Sequence, residues 1–262
     1  MSKISGEDQK VISTDLRIFN DYGIRFIILG IWRERNRLGQ YNGDLIDRMK
    51  EIPVDPWEDK DLLKIAEKGS KILNIEFDDK TINKIAEVSY QSVGVFQELC
   101  KELCLANDIN EVQKEKKKVF DHETLSLAIQ QEVVDYGERH IMAIKAFVKK
   151  NTKRKESLVS MSYYIAKSIA EIKIDKFDSG INRDRIEKYV QSNLKSGNKY
   201  NKGELVRFLN NLSDYQHIRK IWPPLFDYDQ TSQILRIIDS TFFFYLKHAK
   251  AKILDEIEES LL

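Results

Sequence analysis

The chain has 262 residues, of which 42% are hydrophobic and 10% aromatic. That is material for one large packed domain or two to three small ones, and it excludes wholesale disorder, which needs few apolar residues and a large net charge. Forty-three Lys and Arg against 42 Asp and Glu leave a net charge of +1, so charge alone gives no global pull toward nucleic acid. The distribution is uneven: residues 139–220 hold 19 basic against 8 acidic side chains (+11), and the remainder 24 against 34 (−10).

Four prolines and 11 glycines exclude a collagen-like or loop-dominated chain. The N-terminal MSKISGEDQK has no apolar run of the signal-peptide kind, and no stretch reaches the roughly 20 apolar residues of a membrane span. The expectation is a cytoplasmic, reducing setting with no membrane partner. Cys100 and Cys104 are four apart, on one face of a helix, a spacing that suits core packing rather than a disulfide framework or a metal site.

In chain order, residues 5–20 read as a helix, with Ile12, Leu16 and Phe19 on one face and Gly23 as a terminator. Ile24 to Gly30, a β-branched run, reads as a strand buried on both faces, the kind found inside parallel sheets. A polar loop follows, then a short helix from Asp44 carrying Leu45, Ile46 and Met49, and a second short extended segment at 52–54. Helices are predicted at about 57–74, 79–90 and 92–107, a charged break at 111–118, and a long helix at 120–150 running into the basic stretch 149–155. Helices near 157–173, 182–196 and 202–215 come next. A β-hairpin formed by 218–226 and 232–238 around an Asp227-Tyr228-Asp229 turn, and a last helix to about 259, complete the chain.

Catalytic motifs are sparse. None of the 11 glycines fits GxxxxGK[ST], no apolar strand ends in paired acids, and there is no GxSxG, HExxH or CxxC. His122, His140, His217 and His248 are far apart in sequence and read as surface or interface residues rather than ligands.

The stretch 24–54 is more informative. Its strand, polar loop, short helix ending Asp47-Arg48 and second strand, with helices following, resembles the second half of an AAA+ ATPase module. NGDLIDRMKEIPVDPW is similar to that family's L-x-x-R segment, and SYQSVGVFQELCKEL to the lid helix that begins near a glycine and contacts nucleotide. The similarity covers roughly 5–107. It implies that Arg48 acts as an arginine finger toward a neighbouring subunit's γ-phosphate; a surface arginine paired with Asp44 or Asp47 is the alternative. It places Gly94 at the start of the lid helix and Gln97 where the family carries a second arginine, leaving a weaker, uncharged contact. Arg33, with Arg35, Asn36 and Arg37, falls beyond the first strand, facing phosphate or a neighbouring subunit, or standing as a solvated basic loop.

The family's phosphate loop and acidic motif have no counterpart in these residues, so ATP and Mg enter only if another half-core supplies them, and the chain alone is not expected to hydrolyse ATP. A truncated reading frame, a split gene and a nucleotide-independent remnant are the three explanations. With the central strands missing, the strand at 24–30 would present unpaired edges.

The C-terminal order of helices, hairpin and closing helix is that of a winged-helix domain, a module that AAA+ proteins often carry after the lid. Asn201 to Leu212 would be its recognition helix, packing through Leu205, Phe208, Leu209 and Leu212. Lys202, Arg207, Asn210 and Asn211 lie on its polar faces, suited to DNA base edges, and Lys195, Lys199, Arg219 and Lys220 are suited to phosphates. The expected fold is therefore mainly α: residues 1–54 a partial α/β remnant of an AAA+ core, 55–110 a helical lid bundle, 111–156 a long helix and basic linker, and 157–262 a winged-helix-like domain. The expected function is the C-terminal fragment or subunit of an AAA+ ATPase assembly that engages DNA or a partner. Its expected partners are an N-terminal ATPase half, neighbouring subunits or DNA. The alternative is a non-enzymatic winged-helix module that binds DNA or protein.

Overall fold

A computed structural model describes residues 6–29, 37–52, 57–119, 122–149, 161–194 and 200–260. The chain is mainly helical with two small sheets, and it divides into two compact units. One comprises Val54–Ile141 and Ser240–Ala251; the other comprises Met1–Pro53, Met142–Asp239 and Lys252–Leu262.

The first of these units contains three helices, α3 (Asp59–Leu73), α4 (Asp79–Val88) and α5 (Val93–Ala106), which match the predicted spans to within a few residues. Their period is legible because each lays an apolar stripe into one core. Leu62, Ile85, Val95, Phe96, Leu99 and Leu103 meet there with negligible exposure. Asp78 and Ser92 cap α4 and α5, accepting from the amides of Thr81 and Val95. Two strands that the sequence pattern does not announce, β1 (Ile75–Phe77) and β2 (Lys117–Val119), pair in parallel in register Ile75 to Lys117. Three residues are too few to display an alternation. Asn74, in the left-handed region at φ 56°, ends α3 by donating its N–H to the Ser70 carbonyl, and its side chain donates to the Gln113 carbonyl. The long helix α6 (His122–Val148), up to Ile141, and α11 (Ser240–His248) complete the unit; the last turns of α6, from Met142, belong to the other. Gly137 on α6 lets the Tyr245 ring come within 3.2 Å of where a Cβ would stand.

In the other unit, α1 (Gly6–Asp21), the short α2 (Arg37–Tyr41) and a 3₁₀ helix at Gly43–Arg48 contact one another. The Asp44 helix is thus a 3₁₀ segment, capped by the Asn42 side chain. The predicted strand over 24–30 is not formed among the described residues: 24–29 are neither helix nor strand and are exposed to differing degrees, from Ile28 at 36% to Ile27 at 97%. The reason is that a strand exists only with hydrogen-bonded neighbours, and among the described residues none lies beside this one. Glu51 and Ile52 are likewise outside any strand and exposed, and Pro53 and Val54 lie outside the described residues.

The rest of this unit holds α7 (Met161–Glu171), β3 (Ile181–Asn182), α8 (Arg183–Asn193), α9 (Lys202–Asn210), α10 (Leu212–Ile218), β4 (Phe226–Asp229), β5 (Ile234–Ile237) and α12 (Lys250–Glu259). The sheet is antiparallel, in the order β3-β5-β4. Two predicted elements are corrected here. The helix expected over 202–215 breaks at Asn211, whose amide donates to the Arg207 carbonyl 2.8 Å away and competes with the helical ladder. Asp227-Tyr228-Asp229 is not the hairpin turn: it lies in β4, with Phe226 and Tyr228 buried. The turn follows, held by Asp229, which accepts from the amides of Thr231 and Ser232 and from the Ser232 hydroxyl, and it ends at Gln233 with φ 56°. The single closing helix is in fact two, α11 and α12.

Gln216 of α10 has no solvent exposure, and its amide joins the helix to the sheet. Oε1 accepts from the amides of Leu225 (2.8 Å) and Phe226 (3.1 Å), and Nε2 donates to the Phe226 carbonyl (2.7 Å). Gln216→Leu is expected to strand two buried N–H groups and one carbonyl and to lower stability by about 2–4 kcal/mol. Urea unfolding of the two proteins measures this; a loss below about 1 kcal/mol would show that water replaces the amide.

Candidate functional site

The residues singled out from the sequence fall into three groups. Arg48 ends the 3₁₀ helix and is partly exposed, its guanidinium 2.9 Å from Asp21 of α1. Arg17, one turn before Asp21, approaches both Asp21 (3.9 Å) and Asp44 (3.4 Å). Arg48 is therefore paired within the chain, with Asp21 rather than with Asp44 or Asp47. Such an exposed pair is weak, about 0–1 kcal/mol, and can open toward a stronger anionic partner. Arg33, Arg35 and Asn36 lie outside the described residues.

Gly94 and Gln97 belong to the other unit, in the first turns of α5. A Cβ at Gly94 would meet nothing within 4 Å, so the space over the first turn is open, and Gln97 is exposed one turn on. The inner face of the same helix carries the two cysteines, both free thiols. Burial, with Cys104 beside it, pushes the Cys100 thiol up to about 12, and burial also raises that of Cys104. Both are thus protonated near neutral pH and unsuited to nucleophilic or metal chemistry. Among the described residues no group of three or more His, Cys, Asp or Glu is placed to hold a metal ion.

Opposite α5, on α6, Glu132 is 7% exposed. Burial, followed by the nearby carboxylates of Glu98, Asp135 and Glu102, holds its carboxyl above the usual range, with Lys101 opposing. Lys101 itself is paired with Glu98 and Glu102.

Lys202, Arg207, Asn210 and Asn211 are brought together on α9 and its C-cap, and all four are exposed. Arg207 and Asn210, three apart, share one outward face with Gly203. The inward face is the expected one: Leu205, Leu209 and Leu212 are buried, and the Phe208 ring stands 4.7 Å from that of Tyr215. Asn201 caps the helix by accepting from the Glu204 amide. Lys202 is tied to Glu187 of α8 at 3.1 Å. Asn211 is engaged by its bond to Arg207, so Arg207 and Asn210 are the more available pair. Lys195 and Lys199 lie outside the described residues. Arg219 is not a free phosphate contact: it donates to the Ala146 carbonyl (2.9 Å) and lies over the Tyr215 ring (4.7 Å). Arg185 and Lys188, exposed on α8, were missed by the sequence reading; the signal was their i, i+3 spacing away from the buried Ile186 and Val190.

No protein-family model matches the chain, and neither the curated proteins nor the solved structures contain a match to it.

Two measurements follow from these environments. Iodoacetamide at pH 8 is expected to leave both cysteines unmodified in the folded protein and to alkylate both in denaturant; mass spectrometry of the intact chain distinguishes the cases. For Glu132 the raised carboxyl means that its contribution to stability is complete below the ordinary glutamate range and is lost as pH rises through the elevated value. Glu132→Gln should therefore raise the melting temperature at pH 8 and leave it nearly unchanged at pH 4. An equal shift at both would remove ionisation as the cause.

Proposed function

We propose that the chain acts as the C-terminal part or subunit of an AAA+-type ATPase assembly, contributing a helical lid, an arginine in trans and a winged-helix-type module that engages DNA. The observation that carries the reading is the arrangement at 161–237: helix, strand, helix, helices and hairpin, with the sheet in the order β3-β5-β4 and α9 presenting Arg207 and Asn210 outward. A helix exposed in this way suits the major groove, with Arg and Asn able to bond base edges. The helices at 59–106, with a glycine in the first turn of the last, support the lid assignment.

The chain's own residues do not fit a complete nucleotide–magnesium site, because it has no phosphate loop, no paired-acid strand end and, among the described residues, no acidic cluster of metal-binding geometry. Nucleotide chemistry is assigned to a partner that brings those parts. The residue this chain brings to it is Arg48, which must exchange Asp21 for phosphate. That cis ion pair favours a second reading, a non-enzymatic winged-helix module that binds DNA or protein and in which Arg48 is structural.

Two assays separate the readings. Mixing the chain with a polypeptide that carries GxxxxGK[ST] and the acidic motif should produce ATPase activity that falls on the order of 10³-fold or more with Arg48→Ala. No activity with such a partner favours the second reading. In fluorescence anisotropy with duplex DNA, affinity should fall with added salt, and Arg207→Glu should weaken it about tenfold or more and lower the salt slope by about 1. Absence of binding at 50 mM salt would falsify the nucleic-acid role.

A further inference from the structure

Within one of the two units, carboxyl groups from α5 and α6 gather around Glu132 with a single cation among them. Glu98 and Glu102 come from α5, Asp135 stands beside Glu132 on α6, and the cation is Lys101 of α5. Three of the four acids have local partners. Lys101 pairs with Glu98 and, at 3.8 Å, with Glu102, and Asp135 accepts from the Gln131 side chain at 2.8 Å. Glu132 has none: among the described residues it makes no hydrogen bond and no ion pair, although it is only 7% exposed.

A carboxyl group in that position is costly. As a carboxylate it has lost most of its hydration, and as an acid its proton has no acceptor. Burial first and the flanking carboxylates second hold it above the usual glutamate range, and only Lys101 opposes them. The charged groups that face Glu132 are thus either acidic or, in Lys101, already engaged. The component that would complete the group is a second cation. Among the described residues no three such ligands converge tightly enough for a metal ion. A planar cation with several donors fits better, because a guanidinium can bond carboxyl oxygens too far apart to share one ion, and it sheds water more readily than an ammonium.

We propose that the surface formed by Glu98, Glu102, Glu132 and Asp135 receives an arginine side chain of a partner polypeptide, with Glu132 as its central acceptor. The site uses neither Arg48 nor α9, so it stands apart from the nucleotide and DNA readings. Binding is coupled to a proton: the arriving guanidinium favours the carboxylate, and the fraction of Glu132 that is protonated in the free chain gives its proton to solvent.

The probe is a hexa-arginine peptide, with hexa-citrulline as its uncharged control, titrated into the full chain by isothermal calorimetry at 50 mM salt. Hexa-arginine should bind and hexa-citrulline should not. At pH 8, Glu132→Gln should weaken binding about tenfold, the loss of one charged hydrogen-bonded contact. Glu67→Gln, which removes an exposed carboxylate of α3 paired with Lys71, should leave it within about twofold. At pH 5–6, in buffers of different ionisation enthalpy, the native chain should release protons on binding and Glu132→Gln should not. Absence of binding overturns the proposal. So does equal affinity of the native chain and Glu132→Gln, or proton release that is absent from the native chain or persists in the variant; these outcomes mark the binding as general attraction to an acidic surface.

Discussion

The part of the molecule that carries α9 depends on one buried amide. Gln216 occupies the point where α10 meets β4, a place where two strand N–H groups and a carbonyl turn inward with no strand beside them. A hydrophobic side chain there would fill the space and leave those groups unpaired, whereas glutamine supplies both an acceptor and a donor. The residues around it extend the same solution. Tyr215 donates its hydroxyl to the Phe147 carbonyl (2.7 Å) and Arg219 donates to the Ala146 carbonyl, so two of the orphan acceptors at the end of α6 are met by neighbours of Gln216 on one short helix. The Phe147 ring meets those of Phe226, Tyr215 and Phe208 edge to face at 5.0–6.3 Å, and the Phe208 and Tyr215 rings lie tilted at 4.7 Å. Because Phe208 lies on the inner side of α9, the outward aim of Arg207 and Asn210 is set by this cluster.

The +11 charge of residues 139–220 acquires a different meaning once partners are assigned. Lys145 and Lys167 pair with Glu256 and Glu258 of α12, residues outside that window, and Lys202 with Glu187 inside it. Arg219 is a helix cap. Part of the basic excess is therefore internal wiring, matched by acidic residues far away in sequence, while exposed residues such as Arg185, Lys188 and Arg207 remain for phosphate. A sum over a sequence window counts both kinds alike, and this is why local charge overstates the electrostatic case for nucleic acid.

Legibility in the sequence followed the range of the interaction. Helices α3, α4, α5, α6 and α8 were readable because 3.6-residue periodicity and Asn, Asp or Ser caps are local signals. The packed face of α9 was readable for the same reason, and with it the outward placement of Lys202, Arg207, Asn210 and Asn211. The short parallel pair β1 and β2 was not, since its partners are about 42 residues apart and each is three residues long. The hairpin was found but its turn was misplaced by three residues: Asp-Tyr-Asp has turn composition, yet the burial of Phe226 and Tyr228 decided the register. The pairing of Arg48 with Asp21 and the capping role of Arg219 are tertiary facts with no local signature.

Residues 24–29 show the opposite case, a local signal without the tertiary structure to realise it. The composition is that of a central strand, and the chain leaves it in solvent beside a helix whose polar side chains face inward. Conflict between levels is costly in an isolated fold, because exposed apolar area gains nothing and invites aggregation. The pairing of Arg48 with Asp21 lies on the same part of the chain. The 3₁₀ helix is held to α1 by Arg17 and Arg48 through exposed ion pairs that cost little to open, so the arginine at its end stays exchangeable.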